Sequence, residues 1–251
     1  MELIQLTKRA IRVISDTYNN GDLANCMMIR SGDASGRTVP HFHIHIIPRK
    51  RIGEKNGKPE YELIYEKTLS GEKRPFLDSI EKEVKMLRRG FDEPESILKC
   101  HVQGDDKPAE LDQHLRKKIF YESEYFVVLH HPDPIMEGHS LIVPKRDISS
   151  MLQINSGEAE DLAKTYAKIM SLLIGTYGDD TRSYITTAQA GGYQCMPIDR
   201  LHIHLVVRKH DDAYEKEGDR IYYDLFEREA SLSVISDGDI QREVARLKRL
   251  V

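Results

Sequence analysis

The chain reads as an α+β protein, antiparallel sheets with helices packed on them, and three patterns in the sequence predict this. Residues 40–49, Pro40-His41-Phe42-His43-Ile44-His45-Ile46-Ile47-Pro48-Arg49, alternate polar and apolar side chains with the two-residue period of a strand. Two apolar runs, 125–130 and 139–145, flank the turn-forming stretch His131-Pro132-Asp133-Pro134-Ile135-Met136-Glu137-Gly138, as the arms of a hairpin do. Between such strands lie segments whose apolar residues recur at three- and four-residue spacings, the signature of helices with one buried face.

Taken in order, Leu3, Leu6, Ala10, Ile11, Val13 and Ile14 predict a helix over 2–19, ended by Asn19-Asn20-Gly21-Asp22. A strand is expected around Cys26-Met27-Met28-Ile29-Arg30, then a loop over 31–37, then the histidine strand. Residues 49–60 are charged and read as a solvated loop, and 61–65 as a short strand or helix. Phe76, Ile80, Val84 and Leu87 predict a second amphipathic helix over 75–89. The polar stretch 90–108 is the best linker, followed by a helix over 109–118 and the hairpin. A long helix opens at Ser156-Gly157-Glu158-Ala159 with a Ser/Thr-type cap and runs to about Thr176. A strand over 183–187 leads through Gly191-Gly192 to Arg200-Leu201-His202-Ile203-His204-Leu205-Val206-Val207-Arg208-Lys209. This second strand repeats the first alternation, with Arg200 where the first histidine would stand. His130, His131 and His210 read as surface residues.

The two halves keep a nearly constant offset. His43 and His202 lie 159 positions apart, Tyr65-Glu66 and Phe226-Glu227 lie 161 apart, and Ile80, Val84 and Leu87 stand 160 before Ile240, Val244 and Leu247. That predicts two repeats related by internal duplication. The expected division is 1–92 for repeat one, 93–118 for a linker and entry helix, 119–210 for repeat two, and 211–251 for an extension matching 50–92. Repeat one starts in mid-domain, without a counterpart of the hairpin. A start at an internal Met is the favoured explanation, and completion by strands of another chain the other.

Composition narrows the class. With 31% charged and 39% hydrophobic residues, the 251-residue chain has the balance of an ordinary globular protein of one or two domains. A net charge of −4 gives no footprint for nucleic acid, and no apolar run approaches the roughly 18 residues of a membrane span. Cys26, Cys100 and Cys195 are odd in number, widely spaced and without a CxxC pair, which argues against disulfides and thiolate zinc. A reducing cytoplasm is expected.

The run His41–Ile47 resembles the histidine triad family, whose signature is His-φ-His-φ-His-φ-φ with φ apolar. Gly36-Arg37-Thr38-Val39-Pro40 is similar to the family's approach to that strand, and Gly138-His139-Ser140-Leu141-Ile142-Val143-Pro144-Lys145 to its hairpin. The resemblance covers residues 1–49 and about 119–209. It implies that His43 and His202 are nucleophiles attacking the α-phosphorus of a nucleotide, giving a nucleotidyl-histidine that water resolves. His41, His45 and His204 would complete the triads and hydrogen-bond phosphoryl oxygens. Arg37, Thr38, Gln189, His139 and Arg200 would bind nucleotide or phosphate. The family's ribose-binding acidic position falls on His131.

The activity so implied is a nucleotide hydrolase acting on a purine nucleotide phosphoramidate or dinucleoside polyphosphate. No cofactor is required, Mg2+ entering only with a polyphosphate. The expected partners are a nucleotide substrate, no nucleic acid and no membrane, with a homodimer or a pseudo-dimer within one chain as the assembly. Three readings compete. Three histidines can hold catalytic zinc, but His41 and His45 are about 13 Å apart along an ideal strand. A nucleotidyltransferase is the second, opposed by His45 and His204 where tandem relatives of that activity carry Gln. The third is a catalytically silent nucleotide binder, favoured by Arg200 and the missing hairpin.

Overall fold

The computed structural model describes residues 2–17, 25–35, 41–48, 80–92, 108, 110–189, 200–215, 220–226 and 236–251. Their helices are α1 (Glu2–Thr17), α2 (Ile80–Asp92), α3 (Gln113–Arg116), α4 (Ser156–Tyr177), α5 (Arg220–Phe226) and α6 (Asp237–Leu250). The strands are β1 (Asn25–Ser31), β2 (Ile44–Pro48), β3 (Ile119–Glu122), β4 (Phe126–His130), β5 (Ser140–Pro144), β6 (Ser183–Gln189) and β7 (His202–Arg208). They form one seven-stranded sheet in the order β2-β1-β6-β7-β5-β4-β3, antiparallel at every step. The predicted class, helices with antiparallel sheet, is the one found.

Two adjacent rows of side chains explain how the sheet is used. Ile46, Met27, Ala188, Ile203, Ile142 and Val128 are successive cross-strand partners. They pack toward Ile11 of α1, Ile169 and Leu173 of α4, and Ile240, Val244 and Leu247 of α6, in the main core. One residue along each strand, the row is His45, Met28, Thr187, His204, Leu141 and Leu129. Because strand side chains alternate, this second row lies on the opposite face. His45 and His204 thus share one face of the sheet and the helical core fills the other.

β1 and β6 form the seam between the two halves of the sequence. Met28 pairs with Thr187 there, and these two positions are 159 apart, the same offset as His43 and His202. Beyond β1 the chain turns through Gly32, whose φ of +77° suits glycine and whose side a Cβ would overlap with Ser183. Ser183 Oγ in turn accepts the Ala34 N–H at 3.1 Å.

The long helix α4 starts one residue earlier than a Ser/Thr cap would place it. Asn155 is the cap: its Oδ1 accepts the Glu158 N–H and Glu158 Oε2 accepts the Asn155 N–H, each at 2.9 Å. Arg146, just past β5, donates to both Glu158 oxygens at 2.8 Å, tying the hairpin to the helix. Burial alone would raise the Glu158 carboxyl, but these bonds outweigh it and hold its pKa below the usual value. Only one helical turn, α3, forms within the expected helix 109–118. Of the linker expected over 90–108, residues 90–92 belong instead to α2 and 93–107 lie outside the described residues, as do the expected element at 61–65 and the Gly191-Gly192 loop. No helix among the described residues is long and apolar enough to cross a membrane.

Candidate active site

The first histidine run is only partly a strand. β2 begins at Ile44, so His41 and His43 precede it, and Phe42 is 56% exposed instead of packing inward. The three imidazoles still line up edge to face, with ring centres 6.2 Å apart from His41 to His43 and 4.8 Å from His43 to His45. His43 Nδ1–H donates to the His41 carbonyl at 2.9 Å. In a neutral ring that leaves the lone pair on Nε2, which is buried and unpaired among the described residues. His45 has its pKa lowered by burial, then by the Arg30 guanidinium and by His43.

The second run repeats this arrangement in a closed setting. His202 Nδ1–H donates to the Arg200 carbonyl at 2.8 Å, and its Nε2 is likewise buried and unpaired. His202 and His204 are 0% and 1% exposed, and burial lowers both pKa values, His204's well below normal. His139 Nδ1 accepts the Ile135 N–H at 3.3 Å, so its proton sits on Nε2, which donates to His204 Nδ1 at 3.0 Å. His204 is therefore neutral with its proton on Nε2, a buried donor with no partner among the described residues. Thr187 Oγ1, next to it in the row, is also buried and unpaired.

His131 was not expected in this cluster. Both it and His130 are buried, contrary to their reading as surface residues, while His210 is exposed as expected. His131 stacks on His139 with ring centres 4.0 Å apart, and its Nδ1 accepts the Asp133 N–H at 3.0 Å. The available signal was its position, the one where the family resemblance places a ribose-binding acid. His130 lies on the helical face, its Nδ1–H donated to the His131 carbonyl at 3.0 Å.

Other expected site residues divide three ways. Gln189 sits opposite His202 in the β6–β7 register. Arg200 is buried, and burial lowers its pKa against the opposing field of Asp147. Arg37 and Thr38 lie outside the described residues. Between the triads the chain after β7 returns over the histidine face: Tyr214, Ile221 and Leu225 pack on Met28, Ile185 and Val206. Tyr214 Oη, donating to Asp224 at 2.7 Å, fastens that cover to itself.

His131, His139 and His204 bring ring nitrogens within 4.8 Å of one another, close enough for a three-histidine metal site. Their hydrogen bonds oppose that use. A metal-bound histidine donates its other ring nitrogen, whereas Nδ1 of His131 and of His139 each accepts a backbone N–H. The cluster is arranged for hydrogen bonding.

A family model described as the HIT domain matches residues 1–52 and 112–211, more than half of the chain. The chain belongs to the histidine triad family. Among relatives, it is 26% identical to bis(5'-adenosyl)-triphosphatase of Dictyostelium discoideum, over 46% of this chain and 83% of that protein. It is 28% identical to the nitrilase and fragile histidine triad fusion protein NitFhit of Drosophila melanogaster, over 52% of this chain but only 28% of the fusion. Among solved structures, a uridylyltransferase superposes with a TM-score of 0.52 at 15% identity, over 99% of this chain and 66% of its own. That last likeness supports the fold shared by the histidine triad proteins.

Proposed function

We propose that this histidine triad protein is a nucleotide hydrolase that cleaves at the α-phosphorus of a purine nucleotide phosphoramidate or a dinucleoside polyphosphate. One observation carries the reading: in both halves the middle histidine donates Nδ1–H to the carbonyl two residues earlier and presents Nε2 as a lone pair. An imidazole fixed in that tautomer is ready to attack without a separate base.

In the proposed reaction Nε2 of His43 or His202 forms a P–N bond as the bond to the leaving group breaks, its electron pair departing with the leaving group. Water then attacks the same phosphorus, the P–N pair returns to Nε2, and the water proton passes to solvent. His204, with its proton held on Nε2 by His139, donates a hydrogen bond to phosphoryl oxygen. The naming of D. discoideum and fly relatives as triphosphatase and fragile histidine triad proteins supports a dinucleoside polyphosphate as substrate. The pairing of β1 with β6 at the repeat offset supports two repeats joined as a pseudo-dimer in one chain.

The test is intact-protein mass after brief mixing with diadenosine triphosphate or adenosine phosphoramidate, on the parent, His43→Ala and His202→Ala, alongside AMP release. An added AMP mass that disappears in one variant identifies the working nucleophile. Binding with neither adduct nor AMP release would overturn the reading in favour of a silent nucleotide binder. Phosphorolysis far outpacing hydrolysis would replace it with a nucleotidyltransferase.

A further inference from the structure

We infer that Arg30 sets the leaving-group preference of the His43 site, engaging the departing phosphate of a phosphoanhydride and disfavouring substrates whose leaving group is an amine. The inference rests on the hydrolase reading above and narrows its substrate class.

The first argument is position. In the β1–β2 register Met28 pairs with His45 and Ile29 with Ile44, the last pair before His43, and Arg30 is the next residue of β1. Residues two apart on a strand share a face, which puts Arg30 on the side that carries Met28 and the histidines. Arg30 Nε is 3.5 Å from Met28 Sδ, which lays the root of the guanidinium along that face. Burial, and after it the Arg30 guanidinium, hold the His45 pKa below its usual value.

The second argument is the contrast between the halves. Gln189 holds the matching position in the other half, opposite His202 and 159 residues from Arg30. The influences on His204 are burial and two imidazoles, His202 and His131, with no arginine among them. One half thus has an arginine at this strand position and the other a glutamine.

The chemistry of leaving groups turns that difference into selectivity. When His43 Nε2 bonds to the α-phosphorus of a dinucleoside polyphosphate, the P–O bond breaks and its electron pair stays on the departing phosphate oxygen. That oxygen leaves as a stable anion, needs no proton, and gains from a guanidinium fork beside it. A phosphoramidate breaks a P–N bond instead, and its amine must take up a proton as it leaves. A cation fixed at the triad disfavours a second positive charge on His45, so the acid that would supply this proton is suppressed.

The experiment compares AMP release from diadenosine triphosphate and from adenosine phosphoramidate in the full chain, with His202→Ala as background so that only the His43 site is read. Arg30→Gln copies the other half, and Arg30→Lys retains charge. Arg30→Gln is expected to lose about 10- to 100-fold on the triphosphate while changing little or improving on the phosphoramidate. Arg30→Lys should keep most of the triphosphate preference. Equal losses on both substrates in Arg30→Gln, or an unchanged ratio, would overturn the assignment while leaving the hydrolase reading intact. If no AMP appears on His43 from either substrate in the His202→Ala background, the His43 site is not a hydrolase site and the proposal falls with that reading. A melting temperature for each variant separates a folding defect from a change in preference, and Arg30→Lys carries the comparison if Arg30→Gln does not fold.

Discussion

His139 donates its Nε2–H to His204 Nδ1 across 3.0 Å, and the Ile135 N–H on the far side of His139 fixes which nitrogen does so. The chain Ile135–His139–His204 is a short relay of orientation, starting at a backbone amide in the hairpin turn and ending at the third triad position. Replacing His139 by Ala would leave His204 Nδ1 buried without a partner and the half-buried Ile135 N–H without its acceptor. A loss of about 2–4 kcal/mol in urea unfolding is expected. Nitrogen NMR should show His204 changing from one tautomer to a mixture; a shift pattern like the parent's would refute the relay.

Stability should fall on mild acidification. Burial lowers the pKa of His130, His202 and His204 in the fold below the ordinary value of about 6.5. Below that value the unfolded chain takes up protons that the fold refuses. The stabilisation from keeping these rings neutral is therefore complete above about pH 6.5 and is lost as pH drops toward their folded values. Each ring that stays neutral costs up to about 1.4 kcal/mol per pH unit in that window. Urea midpoints between pH 7.5 and 5 that stay flat would contradict this.

Arg146, half-buried, pairs with the buried Glu158 and joins the hairpin to the start of α4. Arg146→Met removes the cation and leaves the carboxylate with only the Asn155 N–H. A destabilisation of about 3 kcal/mol is expected, and the Glu158 pKa should rise. The double variant Arg146→Met with Glu158→Gln should recover part of the loss. Recovery of nothing would mean that the pair acts through packing and not through charge.

Two glycines make a matched test of backbone against space. Gly32→Ala places a methyl into Ser183 at a φ of +77° and should cost at least about 2 kcal/mol. Gly175→Ala, within α4, meets nothing within 4 Å and should stabilise by about 0.5–1 kcal/mol. Thermal melts of both variants check the pair, and similar effects of the same sign would show that the seam tolerates distortion.

Much of the fold was legible because its strands advertise themselves by alternation. Val127 and Ile142, for instance, sit in runs flanked by turn chemistry, and both belong to the hairpin found. Phe42 keeps the alternation yet is exposed, because alternation says which face a side chain takes and not how far the pairing extends; β1 pairs with β2 only from Ile44 onward. The cap at Asn155 was missed by one residue because Ser156 is an equally good capping type by chemistry alone. His131 carried no periodic signal, only its place in the family resemblance. Its place against His139 comes from a turn that brings residues eight apart in sequence into ring contact, and no period records that.

The seam through Met28 and Thr187 also affects how the two triads can vary. Were the two halves separate identical subunits, every substitution at such a seam would appear twice, once on each side of the axis. Here both strands belong to one polypeptide, so a change at one triad is inherited once. One half can hold Arg30 and the other Gln189 at matching positions 159 apart, and neither constrains the other. A single gene can therefore let one histidine run change while the other serves as an unchanged reference.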